Sequence, residues 1–545
     1  MEIKELLRSK WKDQAVYNGS EIKEPSLCVF KNITYAMHML NKHIRSNGKI
    51  CFHTDVDVDG ICTTYIFKKA ISSLGSNRHL LMINKDKVHG IQQKHVDYFA
   101  VKPVDLLIVT DSSSNEIELI KNMNCDVLCI DHHELLHRDT LGICNDGLHR
   151  YCIINSTIDN DNSDADIEQL RHMGIASELR RYTGTPDMSC GLVVYEFLRV
   201  YCEVIRRNNL LKNLALYQYA GITLFSDAIN LLNARNQWYI ENTVYNDSLE
   251  PTLKVVMQQL NKYNTRLTKS YIEYTFAPLL NKAIRSGNGS EALDKLVNHP
   301  ELVYELKEYD KEQQEALEKA LTVTTADGLK GKRTFNEEYI CFDITGLGVR
   351  ETYTGVIASR LASENNKSVA CYIVLEDGTC KGSFRGIDQN FDYRTYFDDF
   401  SEDIYAQGHP LAFGFKLRKE QLYAIMKNIS TLENRGSSIP DVTIGKLCGG
   451  LVHIDDLLEF KRSGDLMLIG FGNSKVQTKD EILLRVSASD VSLKSQRGKL
   501  YMYNVLGGYE NGGFECKAFK PLEGTEFSVL VLYEGGINGL TFYIR

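Results

Sequence analysis

The 545-residue chain predicts an α/β protein in three parts: a parallel-sheet domain, a smaller α/β domain joined to it by a long helix, and a C-terminal all-β domain. Three observations carry that prediction. From about residue 46, continuous apolar strands alternate with helices, which indicates a parallel sheet covered on both faces. The alternation stops near 236 and resumes near 331. Beyond about 441 the chain becomes rich in Val, Leu, Tyr, Phe and Gly at turn spacing, the pattern of a small barrel or sandwich.

Taken in order, residues 1–45 read as an N-terminal helical cap. The first α/β domain occupies 46–235. Its strands are Ile50 to Thr54, Arg78 to Asn84, Val104 to Asp111, Asp126 to Ile130 and Tyr151 to Asn155. Helices follow over Ile61 to Leu74 and Asn115 to Met123, and another starts at Ser189-Cys190-Gly191. The apolar run Leu214 to Leu224 leads into Phe225-Ser226-Asp227. Residues 236–330 read as a helical linker region, with a charged connecting helix over Glu301 to Ala320. The second α/β domain spans 331–425, with strands at Tyr339 to Ile344, Ser368 to Leu375 and Cys380 to Gly386, and a helix over Thr354 to Glu364. Residues 426–545 hold a linker at Asn434 to Pro440 and then the β domain.

Composition narrows the class. Hydrophobic content is 43% and charged content 25%, ordinary for a globular protein, and the net charge of −8 excludes a surface coated with basic residues. A local basic groove remains compatible with that balance. The 14 cysteines are scattered without any C-x-x-C pair, so reduced core thiols are expected rather than a zinc ribbon. No run approaches the roughly eighteen apolar residues that span a bilayer, and the polar start MEIKELLRSKWKDQ lacks a signal peptide. A cytoplasmic protein is the expectation.

The chemistry collects at strand ends. The first strand runs into His53-Thr54-Asp55-Val56-Asp57-Val58-Asp59-Gly60 and then a helix. Aspartates at alternate positions repel one another unless a cation sits among them. A solvated acidic loop is the plain competitor. A calcium loop is rejected, because its twelfth position, which needs Glu, is Ile66. The third strand ends in Asp111, and the fourth ends in Asp131-His132-His133. A lone acid at a strand end is usually a helix cap. Three such clusters at one end of one sheet point instead to a divalent-metal site, where open α/β sheets place their chemistry. Asp227, embedded in apolar surroundings, needs a charge partner of the same kind.

These residues resemble the DHH phosphoesterases. The second half narrows the likeness: Gly382-Ser383-Phe384-Arg385-Gly386, Gln407-Gly408-His409 and the helix Gly355 to Ala362 are similar to the companion domain called DHHA1. The arrangement looks like the RecJ group of single-strand-specific 5′-to-3′ exonucleases. Ser189-Cys190-Gly191, the charged helix and Ile469-Gly-Phe-Gly-Asn473, similar to the start of an OB-fold domain, add to that likeness. The resemblance implies two divalent ions, Mn²⁺ or Mg²⁺. One would be held by His53, Asp57 and Asp111. The other would be held by Asp59, Asp111, His132 and Asp227, with Asp111 bridging. It also implies that Asp131 orients His132 and that His133 contacts the scissile phosphate. From the companion domain, Ser383, Arg385, Gly408 and His409 would bind substrate, with Lys85 from the first domain. A two-metal site activates water and balances charge at phosphorus, an Arg fork matches phosphate oxygens, and an OB-like domain offers stacking surfaces such as Tyr501, Tyr503 and Phe514.

The sequence departs from that family where Ser112-Ser113-Ser114 replaces a glycine after Asp111, where Gln407 replaces the first glycine of G-G-H, and where Ile83-Asn84-Lys85 replaces Pro-Asn-Arg. Lys85 cannot reproduce a bidentate Arg contact. The implied partner is single-stranded DNA, with a single-strand-binding protein and a helicase as further candidates and no membrane. The alternatives are a phosphodiesterase of short oligonucleotides or cyclic dinucleotides, and a catalytically inactive nucleic-acid-binding adaptor.

Overall fold

The computed structural model describes residues 23–436 and 482–544, except for 86–87, 136–143, 146–149, 159–162, 183, 185–186, 228, 230–233, 245, 247, 261–266, 268–270, 326–333, 336–339, 366, 389–390, 402, 498–499, 506–513, 519–520, 525 and 534–539. Strand β1 (Leu27–Val29) comes first, and the helix Ile33–Arg45 follows it. The N-terminal segment is therefore not wholly helical. Its apolar Leu-Cys-Val triplet pairs in parallel with a distant strand, β8 (Leu179–Arg181), and residues 1–22 lie outside the described chain.

The first lobe is built on β2 (Ile50–Thr54), β3 (His79–Ile83), β4 (Leu106–Thr110), β5 (Asp126–Asp131), β6 (Cys144–Asn145) and β7 (Arg150–Asn155). They form a six-stranded sheet in the order β3-β2-β4-β5-β7-β6, parallel except for the last pair. Side chains alternate between its faces. Ile50, Phe52, Leu106, Ile108, Leu128 and Ile130 enter one core, while Cys51, Leu107, Val109, Val127 and Cys129 enter the other. Both faces are thus covered, which is why these strands read as continuous apolar runs. The order reverses between β2 and β4. That reversal opens a crevice at their carboxyl ends, the usual ligand position in such sheets.

The helices Cys190–Val204, Tyr217–Ser226, Ala234–Val244 and Pro251–Leu260 pack beside this lobe, and Ala277–Arg285 and Gly289–Asn298 add Leu279, Leu280, Leu293 and Leu296 to the same core. The charged connector is not one α-helix. Pro300–Lys307 is a 3₁₀ segment, and the α-helix occupies Glu308–Thr325. Pro300 lacks an N–H and opens the tighter segment.

The second lobe comprises β9 (Thr334–Phe335), β10 (Ile340–Asp343), β11 (Val369–Val374), β12 (Thr379–Arg385), β13 (Tyr405–His409) and β14 (Ala412–Arg418), in the order β13-β14-β12-β11-β10-β9. The helices Thr354–Asn365, Tyr393–Asp398 and Lys419–Gly436 accompany it. The last of these extends through Asn434–Gly436, where the composition suggested a linker; the remainder of that linker and Ile469–Asn473 lie outside the described residues.

The C-terminal strands are β15 (Ile482–Ser487), β16 (Val491–Arg497), β17 (Leu500–Val505), β18 (Phe514–Ala518), β19 (Glu526–Tyr533) and β20 (Leu540–Ile544). Their order is β15-β19-β20-β18-β17-β16, antiparallel apart from the β18–β20 pair. Tyr503 is buried here and stacks on Tyr501 with ring centroids 6.4 Å apart. The twelve cysteines whose side chains are described are free and buried, as expected of core thiols.

Candidate metal centre

The acids of the first strand converge because the turn after β2 is tight. Asp57 caps the helix Val58–Ser73 by accepting from Gly60 N at 2.9 Å. A Cβ on Gly60 would stand 2.8 Å from the Asp55 carbonyl oxygen, so only glycine lets the chain fold back over Asp55. Asp59 then points under the sheet end. It accepts from Thr63 Oγ1 (3.0 Å) and from the first backbone amides of the helix Cys190–Val204, Cys190 N (2.7 Å) and Gly191 N (2.9 Å). A helix N-terminus is a favourable place for a carboxylate.

Three groups of possible ligand atoms gather within 4.8 Å: Asp111, His132 and His133; Asp59, His132 and Asp227; and Asp55, Asp57 and Asp111. His132 Nε2 lies 3.2 Å from Asp111, 3.2 Å from Asp227 and 4.0 Å from Asp59. Asp227 is the cap residue ending the helix Tyr217–Ser226 and is buried. Thus five of the six expected ligands, Asp57, Asp59, Asp111, His132 and Asp227, come together. His53 falls outside these groups. It is fully buried in β2, edge-on to His95 with ring centroids 4.7 Å apart, and neither of its ring nitrogens has a hydrogen-bond partner.

Electrostatics favour a cation. Burial, Asp227 and Asp57 raise the Asp59 carboxyl well above its ordinary range. Burial and the neighbouring Asp59, Asp57, Asp55 and Asp227 do the same to Asp111. Neither Asp111 oxygen meets a donor in hydrogen-bonding geometry. Acceptors this close and this buried are costly without a positive charge among them. The mixed carboxylate and imidazole set suits Mn²⁺ or Mg²⁺.

Asp131 does not hold the ring expected of it. Its Oδ1 accepts from His133 Nδ1 at 2.8 Å and from the backbone amides of His132 (2.7 Å) and His133 (3.1 Å). The oriented ring is therefore that of His133, since residue 133 reaches back over the strand end while His132 points into the acids. Burial opposes the charged form of His133, but Asp131, Asp227 and Asp55 outweigh it and push the imidazole up to about 10. Asp131, although burial works against its charge, is held below the carboxylate range by His133.

Two residues had no role assigned from the sequence. Asp55 joins the acids and accepts from His89 Nδ1 at 2.6 Å and Gly90 N at 3.3 Å. Its signal was the alternation of acids itself. Arg285, at the end of the helix Ala277–Arg285, lies near Arg385, whose guanidinium is pushed down to about 10 by burial and by the Arg285 charge. No spacing in the sequence connects positions 285 and 385.

The second lobe presents polar groups near Arg285. Arg385 Nε donates to Ser359 at 2.9 Å, and Ser383 Oγ is 3.0 Å from Thr354 Oγ1, at the start of the helix Thr354–Asn365. A Cβ on Gly355 would come within 2.8 Å of the Arg385 guanidinium. Two arginines beside a helix N-terminus can bind an anion such as phosphate. Gly408, in the left-handed region at φ 136°, and His409 end β13 opposite Phe413 and Ala412. Lys85 is exposed, and its carbonyl is 3.9 Å from the Cβ position of Gly287. The lobes also meet where Arg394 bonds Glu134 at 2.8 Å.

With this geometry in view, residues 49–222 match the family model described as DHH family, N-terminal domain. The chain is 23% identical over 466 residues to the single-stranded-DNA-specific exonuclease RecJ of Escherichia coli (strain K12), covering 79% of this chain and 75% of that one. It is 24% identical over 432 residues, 73% of this chain and 68% of the relative, to an SPbeta prophage-derived protein of Bacillus subtilis (strain 168) named for single-strand DNA-specific exonuclease activity. Among solved structures it is similar to RecJ in complex with Mn²⁺ from Thermus thermophilus, with a TM-score of 0.63 and 16% identity over 99% of this chain and 74% of that one. That last likeness is one of fold. No helix among the described residues is long and apolar enough to cross a membrane.

Proposed function

We propose that this chain, which carries a DHH-family N-terminal domain, is a divalent-metal-dependent exonuclease that hydrolyses single-stranded DNA from its 5′ end to 5′-mononucleotides, in DNA repair, recombination or replication. The observation that carries the reading is the convergence of buried Asp55, Asp59, Asp111, His132 and Asp227 at the sheet's reversal point. Asp55, Asp57, Asp111 and His53 would hold one ion, and Asp59, Asp111, His132 and Asp227 the other. When bound, such ions supply activation of the attacking water and charge balance at the phosphate.

The remaining work falls to side chains. Asp131 accepts from His133 Nδ1 and so orients the ring, whose other nitrogen would donate to a non-bridging phosphate oxygen. The helix amides at Cys190 and Gly191 fix Asp59. Arg285, Arg385 and Ser383 would grip the phosphate from the opposite side, and Gly408, His409 and Lys85 would be further substrate-binding residues. The β domain supports a single-strand substrate. Strands β15 and β16 are separated only by the 3₁₀ turn Ala488–Asp490, so the two ends of the six-strand order are halves of one interrupted strand. Joining them closes a five-stranded OB-type barrel, a fold that binds single strands.

The test is a time course on a long single strand, labelled in turn at each end, with Mn²⁺, Mg²⁺ or EDTA. Early mononucleotides from the 5′ label, with the 3′-labelled strand shortening gradually, are expected, and EDTA abolishes them. His133→Ala is expected to slow hydrolysis about 10²–10³-fold, the size of losing one donor to a developing charge. Rapid cleavage of dinucleotides with the long strand untouched would move the chain to the oligonucleotide hydrolases. Metal-independent binding without cleavage would leave an adaptor.

A further inference from the structure

The second lobe has a sheet face that its helices only partly cover. Register sets the side chains of β12, β14 and β13 in rows: Lys381, Lys416 and Tyr405; then Ser383, Gly414 and Gln407; then Arg385 and Ala412. Cross-strand partners share a face. The opposite face of the same strands is core, with Cys380, Phe384, Phe413, Phe415 and Leu417 buried against the helices Tyr393–Asp398 and Lys419–Gly436. On the face of the rows, the core beneath the helix Thr354–Asn365 draws on β10 and β11, and among the described residues it includes none from β13 or β14.

The lower rows contain Ser383 and Arg385, assigned above to the phosphate grip. The first row continues from them with two lysines and an aromatic ring. Tyr405 is 56% exposed, large for an aromatic on an edge strand. Lys416 is exposed too, and its ion pair with Asp377 is long, at 3.7 Å. Lys381 bonds Glu351 at 2.8 Å, another pair open to solvent. Exposed pairs of this kind are worth little and are readily exchanged for phosphate. Partial burial and the Glu116 carboxylate hold the Tyr405 phenol above its ordinary value. Glu116 belongs to the loop after Asp111 and packs near Gly90, whose Cβ position lies 3.2 Å from its carboxylate.

We propose that the β14–β13 side of this face, left open beside the helix Thr354–Asn365, is a nucleotide subsite in which the Tyr405 ring stacks on a base of the single strand while Lys416 and, from β12, Lys381 take the flanking phosphates. The inference rests on the single-strand reading above and adds to it how bases, rather than the scissile phosphate, are held. Three features select a single-stranded polynucleotide over an apolar partner. The row carries two lysines whose ion pairs are open to solvent, the floor beside it is small (Ala412, Gly414), and the surface is continuous with the arginine grip. Stacking of this kind tolerates every base, because each has a π-face.

The experiment measures binding of the full chain to a single strand carrying 2-aminopurine at successive positions, in EDTA to prevent cleavage, by anisotropy and by fluorescence quenching. Tyr405→Ala is expected to weaken binding about 5- to 100-fold, the range for losing one stacked base, and to relieve quenching at one position. Tyr405→Phe is expected to stay within about twofold with quenching intact. Unchanged binding and quenching in Tyr405→Ala would overturn the proposal, as would an equal loss in Tyr405→Phe, which would assign the effect to the hydroxyl. Melting midpoints of both variants, at an exposed position, guard against misfolding. If wild type binds no single strand at all, the functional reading itself fails, and that result is distinct from either outcome with the variants.

Discussion

Asp111 sits at φ 68° and Ser113 at φ 76°, both in the left-handed region that a side chain enters at a cost. The loop after β4 therefore keeps a conformation in which glycine would be at ease, and serine is held there by its hydroxyl, which accepts from Ile91 N at 2.8 Å. Strain and charge are concentrated together. In the metal-free protein Asp59 and Asp111 have carboxyls raised above their unfolded values. The folded state then binds more protons than the unfolded chain from about pH 4, the ordinary carboxylate value, up to those raised values. Stability in EDTA must fall as pH rises through that window. Asp111→Asn removes one of the repelling charges. Its melting midpoint in EDTA at pH 8 should exceed wild type by about 2–4 °C for each kcal/mol relieved, with a shallower pH slope. Excess Mn²⁺ should raise wild type and leave the variant nearly unmoved. Thermal unfolding across pH with and without Mn²⁺ checks this, and parallel slopes for the two proteins would remove the repulsion argument.

At the scale of elements, the strand-to-acid pattern was readable because parallel strands buried on both faces leave long apolar runs, and their ends stand out as acids. The helix start at Ser189 was readable from the sequence, but what it faces was not, and that appears in three dimensions: the helix Cys190–Val204 aims its first amides at Asp59. That helix lies tight against its neighbour, where a Cβ on Gly191 would come within 2.5 Å of Thr223 Oγ1. Gly191→Ala should cost about 1–3 kcal/mol through overpacking and turn the amides away from Asp59, weakening Mn²⁺ binding about tenfold, the lower end for loss of an outer-shell partner. Calorimetric titration with Mn²⁺ reads the affinity, and Thr223→Ala in the same chain should restore it by making room. Failure of that rescue would mean that the helix end does not set the Asp59 geometry. Helix boundaries were less readable. The charged run Glu301 to Ala320 suggested one helix, but the chain changes from 3₁₀ to α at Glu308 after the tight start imposed by Pro300.

For the whole molecule, the two lobes were legible separately, but the face they share was not, since no local pattern relates Arg285 to Arg385 or Tyr405 to Glu116. Their relation depends on the helices between them and on polar contacts at the mouth, of which Arg394–Glu134 is the clearest at 2.8 Å. Glu134 directly follows His133, so this pair ties the second lobe to the loop that carries His132 and His133. It is exposed on the Glu side, and an exposed pair contributes at most about 1 kcal/mol to folding. Arg394→Ala should therefore leave the unfolding midpoint nearly unchanged. Its effect belongs to the cleft, because interfaces between domains permit relative motion unless they are large and apolar. Fluorophores placed on the two lobes should report a broader distance distribution in Arg394→Ala, and the affinity for long single strands should fall about two- to fivefold, commensurate with a pair of this strength. The reversed pair, Arg394→Glu with Glu134→Arg, should narrow the distribution again. A distribution unchanged in the single variant would mean that the helical connection alone sets the width of the cleft, and the pair would then be a surface contact without influence on how the strand enters.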